Sequence, residues 1–293
     1  RGELGRRVLV AAVGIPAAVI LIYLGGWYLG GLLAAFAGLA TWEYYRLARA
    51  RGARPFMLPG VAFSVGIVLV STAWRGPAVG AALWQLVVAF MLALGVMAVL
   101  ERDVDEAPLA TTAVTLTGAL LPGGTLAFAL FLRHMPIFDV GHGWGSWTGA
   151  ALVAYPLAVT WLNDTAAYFA GTYFGRRRLM PRVSPKKTWL GAEAGFVAGI
   201  IAGWLYTRFV FGWWLDIPLA PWLGALGGGL ITIVAQVGDL AESILKREAG
   251  VKDSGGLLPG HGGVLDRLDA LLLAFPTAYW YLTLVFRLRG IGS

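Results

Sequence analysis

The chain contains no cysteine, so neither a disulfide framework nor a cysteine-ligated metal site belongs to its fold or chemistry. It has three histidines. Two of them, His134 and His142, stand eight residues apart near Asp139, a poor metal pattern that reads as an ordinary solvated loop over 133–147. Charged residues make up only 13% of the chain, where a soluble protein has roughly a quarter. No stretch reads as a soluble domain, a long linker or a convincing internal repeat.

What is present is hydrocarbon. Mean hydropathy is +0.71 and 58% of residues are hydrophobic. Nine apolar runs recur, at about 8–23, 27–45, 57–74, 78–100, 109–132, 148–174, 192–212, 219–245 and 264–286. Runs of roughly 17–25 apolar residues are long enough to span a bilayer. The expected fold is all-α: a polytopic integral membrane protein of about nine transmembrane helices. The first run leads into the second without a signal-peptide cleavage pattern, so it reads as a retained span. Pro122-Gly123-Gly124 is expected to kink the fifth run or split it. Two regions are expected, an N-terminal set of spans over 1–147 and a C-terminal catalytic set over 148–293.

The net charge of +7 raises nucleic acid as a partner. The cations instead sit in short loops between apolar runs, which points to membrane topology and phosphate contacts, with no nucleic acid. If loops are assigned to alternate sides, 18 of the 23 Lys and Arg fall on the side of the N-terminus. The positive-inside rule makes that side cytoplasmic. Trp and Tyr near the run ends, such as Trp27, Tyr28, Trp213 and Trp214, read as an interfacial belt.

Polar groups concentrate late in the chain. Run six carries Asn163-Asp164-Thr165, and an ionisable residue inside a span usually faces the protein interior. The loop after it holds Arg176-Arg177-Arg178, read as topology residues, and Ser184-Pro185-Lys186-Lys187-Thr188, two cations and two hydroxyls suited to a polyphosphate. On the helix ending run eight, Asp239, Glu242, Ser243 and Lys246 form one stripe at i, i+3, i+4, i+7. Run nine opens with Asp266-Arg267-Leu268-Asp269. Between them lie Lys252-Asp253 and a glycine-rich loop with Pro259 and His261, whose glycines are expected to let backbone N–H groups approach a ligand. Asp253, Asp266 and Asp269 can hold a hard cation, and oxygen-only ligands suit Mg²⁺. Glu43, preceding Tyr44-Tyr45-Arg46, reads as a snorkelling interfacial acid.

Two function classes fit these clusters. One is metal-assisted phosphate chemistry at a membrane face. The other is secondary transport of an anionic substrate, which calls for inverted repeats and polar groups near the midplane. Here the first half is nearly free of intramembrane charge, and the carboxylates sit at run ends.

The motifs themselves carry a resemblance. Ser243, Leu245, Lys246-Arg247, Lys252-Asp253, Gly255, Leu258-Pro259, His261-Gly262-Gly263, Val264 and Asp266-Arg267-Leu268-Asp269 match, without a gap, the signature of the bacterial phosphatidate cytidylyltransferases, or CDP-diacylglycerol synthases. Asn163-Asp164-Thr165-Ala166-Ala167-Tyr168, Ser184 to Thr188 and Gly238-Asp239-Leu240 resemble further family elements. The likeness is strong from about 160 onward. Leu190 stands where the family often has Glu, and Ala270 where Ser is common.

The resemblance implies a reaction of CTP with phosphatidic acid giving CDP-diacylglycerol and pyrophosphate, with Mg²⁺ and a second, monovalent cation, K⁺. It implies catalytic roles for Asp239, Asp266, Lys187, Lys246 and Arg247. Substrate contacts fall to Asn163, Asp164, Ser184, Lys186, Thr188, Ser243, Lys252, Asp253, His261, Gly262, Gly263 and Arg267, and metal ligation to Asp239, Asp266 and Asp269. The expected site is a polar pocket at the cytoplasmic ends of the last four spans, in a homodimer of the inner membrane with the active site facing the cytoplasm. A CTP-dependent lipid kinase, moving the γ-phosphate, stays open on sequence alone.

Overall fold

The computed structural model describes residues 2–74, 78–135, 145–256 and 262–291; for 2–11, 13, 145 and 146 it describes the backbone alone. His261, Asp139 and His142 lie outside the described residues.

Each of the nine apolar runs lies on helix. The elements are α1 (Gly2–Leu24), α2 (Gly26–Ala50), α3 (Met57–Ala73), α4 (Ala78–Glu101), α5 (Pro108–Arg133), α6 (Gly145–Tyr173), β1 (Arg178–Met180), β2 (Ser184–Thr188), α7 (Trp189–Tyr206), α8 (Pro221–Glu248), α9 (Leu265–Leu268) and α10 (Leu271–Leu288). A π-helical turn, Thr207–Trp214, continues α7. Five stretches are long and apolar enough to cross a bilayer: Ala78–Glu101, Val104–Arg133, Trp189–Trp214, Pro221–Glu248 and Leu265–Leu288. The molecule is thus a helical membrane protein.

The chain forms two compact units, Arg1–Leu130 with Leu245–Leu268, and Phe131–Ile244 with Asp269–Ser293. Residues 245–268 are grouped with the N-terminal helices. α5 is not split at Pro122-Gly123-Gly124. Pro122 sits inside a continuous helix, and the Thr125 hydroxyl donates to the Leu121 carbonyl one turn back.

In the first unit the core is polar as well as apolar. Tyr45 is fully buried and its hydroxyl donates to the Thr115 carbonyl at 2.6 Å. Thr41 donates to Ser64 Oγ across α2 and α3 at 2.8 Å. Phe63 of α3 stacks on Phe90 of α4 at 3.9 Å between ring centroids.

In the second unit α7 carries glycine at every fourth position: Gly191, Gly195, Gly199 and Gly203. Side-chain-free positions let helix backbones meet, which supplies the packing that hydrocarbon solvent does not drive. A Cβ on Gly203 would stand 2.1 Å from the Gly224 carbonyl of α8, and one on Gly191 would stand 2.8 Å from the Ala167 carbonyl of α6. α6, α7 and α8 are thereby held close, and their polar residues with them.

The loop between α6 and α7 holds the two β-strands found among the described residues. β1 and β2 pair antiparallel, Arg178 opposite Thr188 and Met180 opposite Ser184, with a bulge between. Pro181 follows the first strand at the turn, where its fixed φ is favourable, and Val183 N–H donates to the Met180 carbonyl at 3.1 Å.

Candidate active site

In the second unit three segments distant in sequence line one cavity of about 310 Å³: Asn163, Asp164 and Tyr168 of α6, Lys186, Lys187 and Thr188 of β2, and Gln236 and Asp239 of α8. Lys187 Nζ is 2.5 Å from Asp239 Oδ2, with side chains 29% and 33% exposed. Asp164 feels the charges of both. Next to this ion pair runs an amide chain. Gln236 Nε2 donates to the Ala192 carbonyl at 3.0 Å and to Asn163 Oδ1 at 2.9 Å. Asn163 Nδ2 then donates to Asp164 Oδ1 at 2.9 Å. Gln236 thus fixes which face of the Asn163 amide meets Asp164. Sequence reasoning passed over Gln236; its place three residues before Asp239, on the same helical face, was the available signal.

Thr188 is the N-cap of α7. Its hydroxyl accepts from Gly191 N–H at 3.1 Å, in a space left by Gly171, Gly175 and Gly191. Thr188 lines the cavity, and accepting in the cap leaves its hydroxyl proton available to donate. Lys186 is exposed, and Ser184 is half-buried in β2. Arg177, outside the cavity lining, lays its guanidinium 5.5 Å from the Trp189 ring centroid.

The first unit holds the other group of signature residues. Asp266 Oδ1 accepts from Lys246 Nζ at 2.6 Å, in a pair with side chains only 8% and 14% exposed. Its Oδ2 lies within hydrogen-bonding distance of three donors: Gly263 N–H at 2.8 Å, Ser254 N–H at 2.9 Å and Ser254 Oγ at 3.0 Å. Gly262 has φ +78°, and a Cβ there would stand 2.8 Å from Asp266 Oδ2, so the chain enters this turn only as glycine.

Glu43 is not the interfacial acid expected from its position. It is fully buried and accepts from Ser254 Oγ at 2.8 Å, Leu265 N–H at 2.8 Å and Val264 N–H at 3.0 Å. This also changes the reading of two loop glycines. A Cβ on Gly255 would stand 2.3 Å from Glu43 Oε1, and one on Gly263 2.4 Å from Oε2. Both make room for a carboxylate of the chain itself.

The remaining signature residues are placed less centrally. Lys252, Asp253, Arg247 and Arg267 are exposed, and Ser243 is half-buried on α8. Arg247 donates to the Val251 carbonyl at 3.4 Å. Asp269, in the second unit, accepts from its neighbour Ala270 N–H at 2.6 Å. Among the described residues no group of three or more His, Cys, Asp or Glu is clustered around a metal position. The donor chemistry nonetheless fits a hard cation: Asp239 and Asp266 present carboxylate oxygen, and each faces a lysine ammonium that a cation could displace.

Bilayer-length helices and a cavity that includes Lys186, Lys187, Asp164 and Asp239 in its lining define a helical membrane protein with a charged cavity. The chain belongs to the cytidylyltransferase family, whose model matches residues 5–285. A phosphatidate cytidylyltransferase of Synechocystis is 33% identical over 300 aligned positions, covering 96% of this chain and 97% of that protein. One from Pseudomonas aeruginosa is 34% identical over 279, covering 93% and 94%. One from Brucella suis is 45% identical over 136, covering 45% of this chain and 47% of that protein.

Proposed function

We propose that this chain transfers the cytidylyl group of CTP to phosphatidic acid, giving CDP-diacylglycerol and pyrophosphate. A phosphate oxygen of the lipid attacks the α-phosphorus of CTP. The bond from that phosphorus to the oxygen bridging to the β-phosphate breaks, and pyrophosphate leaves with the electron pair. Because the nucleophile is already anionic, the protein needs no activated serine or cysteine; its task is positioning and charge neutralisation.

The observation that carries this reading is the cavity in which Lys187, Asp239 and Asp164 meet from three separate segments. Lys186 and Lys187 bind phosphate oxygens there, and Asn163, oriented by Gln236, holds Asp164. Lys246, Arg247 and Lys252 supply further cationic contacts, with His261, Gly262, Gly263, Ser184, Thr188, Ser243, Asp253 and Arg267 as additional substrate contacts. Asp239 and Asp266, with Asp269, are the proposed Mg²⁺ ligands. When bound, Mg²⁺ neutralises charge on the triphosphate. K⁺ is the proposed second cation.

The protein is proposed to cross the inner membrane nine times and to work as a homodimer, with the site on the cytoplasmic face. The Lys and Arg asymmetry supports that orientation, and CTP is available on that side. The test is to reconstitute the purified chain in vesicles with phosphatidic acid, CTP and Mg²⁺ and identify the lipid product by mass. CDP-diacylglycerol supports the reading. Its absence, with the chain folded and inserted, refutes it.

A further inference from the structure

Glu43 belongs to none of the signature motifs, yet the signature loop is built around it. It lies near the end of α2, 211 residues before Ser254 and 222 before Leu265. Its described partners are one hydroxyl and two backbone N–H groups. The amides come from Val264 and Leu265, at the start of α9, and the hydroxyl from Ser254, at the other end of the loop. One buried carboxylate therefore fastens both ends of 254–265. A carboxylate is suited to this because it is acceptor-only, with two oxygens. A glutamine of the same shape would turn an NH₂ toward one of these donors.

The same loop serves Asp266. Among the described residues, Ser254 N–H, Ser254 Oγ and Gly263 N–H lie within donor distance of Asp266, as does Lys246. Ser254 Oγ touches both carboxylates, at 2.8 Å from Glu43 Oε2 and 3.0 Å from Asp266 Oδ2. The hydroxyl has one proton, so its orientation couples the two. We infer that Glu43 is a positioning residue for Asp266: it fixes the loop whose ends hold that carboxylate against Lys246. The inference rests on the function proposed above only in naming the reaction that suffers.

The test compares the full-length wild-type chain with Glu43→Gln and Gly255→Ala in the same vesicles. Gly255→Ala places a methyl on Glu43 Oε1 and attacks the contact from the loop side, so it keeps the idea testable if Glu43→Gln fails to fold. Hydrogen exchange is read on peptides covering 254–265, and kcat and KM for CTP are read in parallel. Expected are exchange at Val264 and Leu265 at least about tenfold faster, no change in α3 or α5, and a kcat lower by about 10–100-fold, the range for residues that orient a functional carboxylate. A loop that exchanges at the wild-type rate in both variants overturns the inference, as does faster exchange with unchanged kcat. A uniform rise in exchange across all helices also overturns it, because Glu43 would then be a general stabiliser. If wild type makes no CDP-lipid, the proposed reaction falls, while the exchange data still decide whether Glu43 holds the loop.

Discussion

Lys187 and Asp239 meet at 2.5 Å, and that contact ties the hairpin between α6 and α7 to the polar stripe of α8. Both side chains are about one-third exposed, so the pair is worth little to folding; exposed pairs contribute roughly 0–1 kcal/mol. Its value lies in the cavity, where Lys187 is set to meet phosphate and Asp239 to meet a cation. Lys187→Ala is expected to raise KM for CTP and lower kcat, on the order of 100-fold in kcat/KM, as for loss of a charge partner in the transition state. Asp239→Asn is expected to bring turnover to background at any Mg²⁺ concentration. Arg177→Ala, which removes only a guanidinium resting on Trp189, should change kcat/KM less than about threefold. Equal damage from Arg177→Ala and Lys187→Ala would show that the wrong cations have been assigned to the site.

Lys246 and Asp266 pair in a drier setting, and stability should register the difference. Removing one partner of a buried pair costs about 3–5 kcal/mol because the other charge stays uncompensated. Lys246→Met is expected to lower unfolding stability toward that range, tempered by the donors Asp266 retains from Ser254 and Gly263. Lys187→Met should lower it by less than about 1 kcal/mol. Denaturant unfolding of both variants in one detergent checks the order; a reversed order contradicts the burial argument.

Gln236→Ala removes the donor that orients Asn163, and through it Asp164. Activity should fall by about tenfold or more, in keeping with other residues that orient a site group, while Gln236→Glu, which replaces the donor with an acceptor facing Asn163 Oδ1, should be no better. Full activity in both would mean that the amide chain is incidental.

Topology is open to single cysteines, which this naturally cysteine-free chain makes clean. Thr188 and Ser254 are buried at 2% and 4% exposure, so the informative sites are their exposed neighbours Arg182 and Val251. Both are expected to react with an impermeant thiol reagent from the cytoplasmic side alone. Labelling from opposite sides would break the proposed orientation.

The signature residues were legible because their chemistry is written locally: carboxylates at i, i+3 on a helix, paired lysines beside a proline, glycines in a row. The apolar runs likewise announced helices of bilayer length, whereas the glycine spacing of α7 gained its meaning only from the backbones it brings together. Glu43 was misread because its partners lie more than 200 residues away, and nothing near Tyr44-Tyr45-Arg46 distinguishes a snorkelling acid from a buried clamp. Gly255 and Gly263 pack against that distant carboxylate, a contact that no local pattern announces. The hairpin at 178–188 escaped notice because three- and five-residue strands give almost no alternation to read. That α5 runs unbroken through Pro122 is something hydropathy does not encode.

The most direct test of the central claim is the fate of the α-phosphorus. Reconstituted protein is given phosphatidic acid, Mg²⁺ and CTP labelled at either the α- or the γ-phosphorus, with Asp239→Asn alongside. Cytidylyl transfer predicts that α-label enters the lipid fraction with one equivalent of pyrophosphate released, that γ-label leaves in that pyrophosphate, and that Asp239→Asn does neither. Label from the γ-phosphorus in the lipid, with CDP released, would make the chain a lipid kinase and contradict the account.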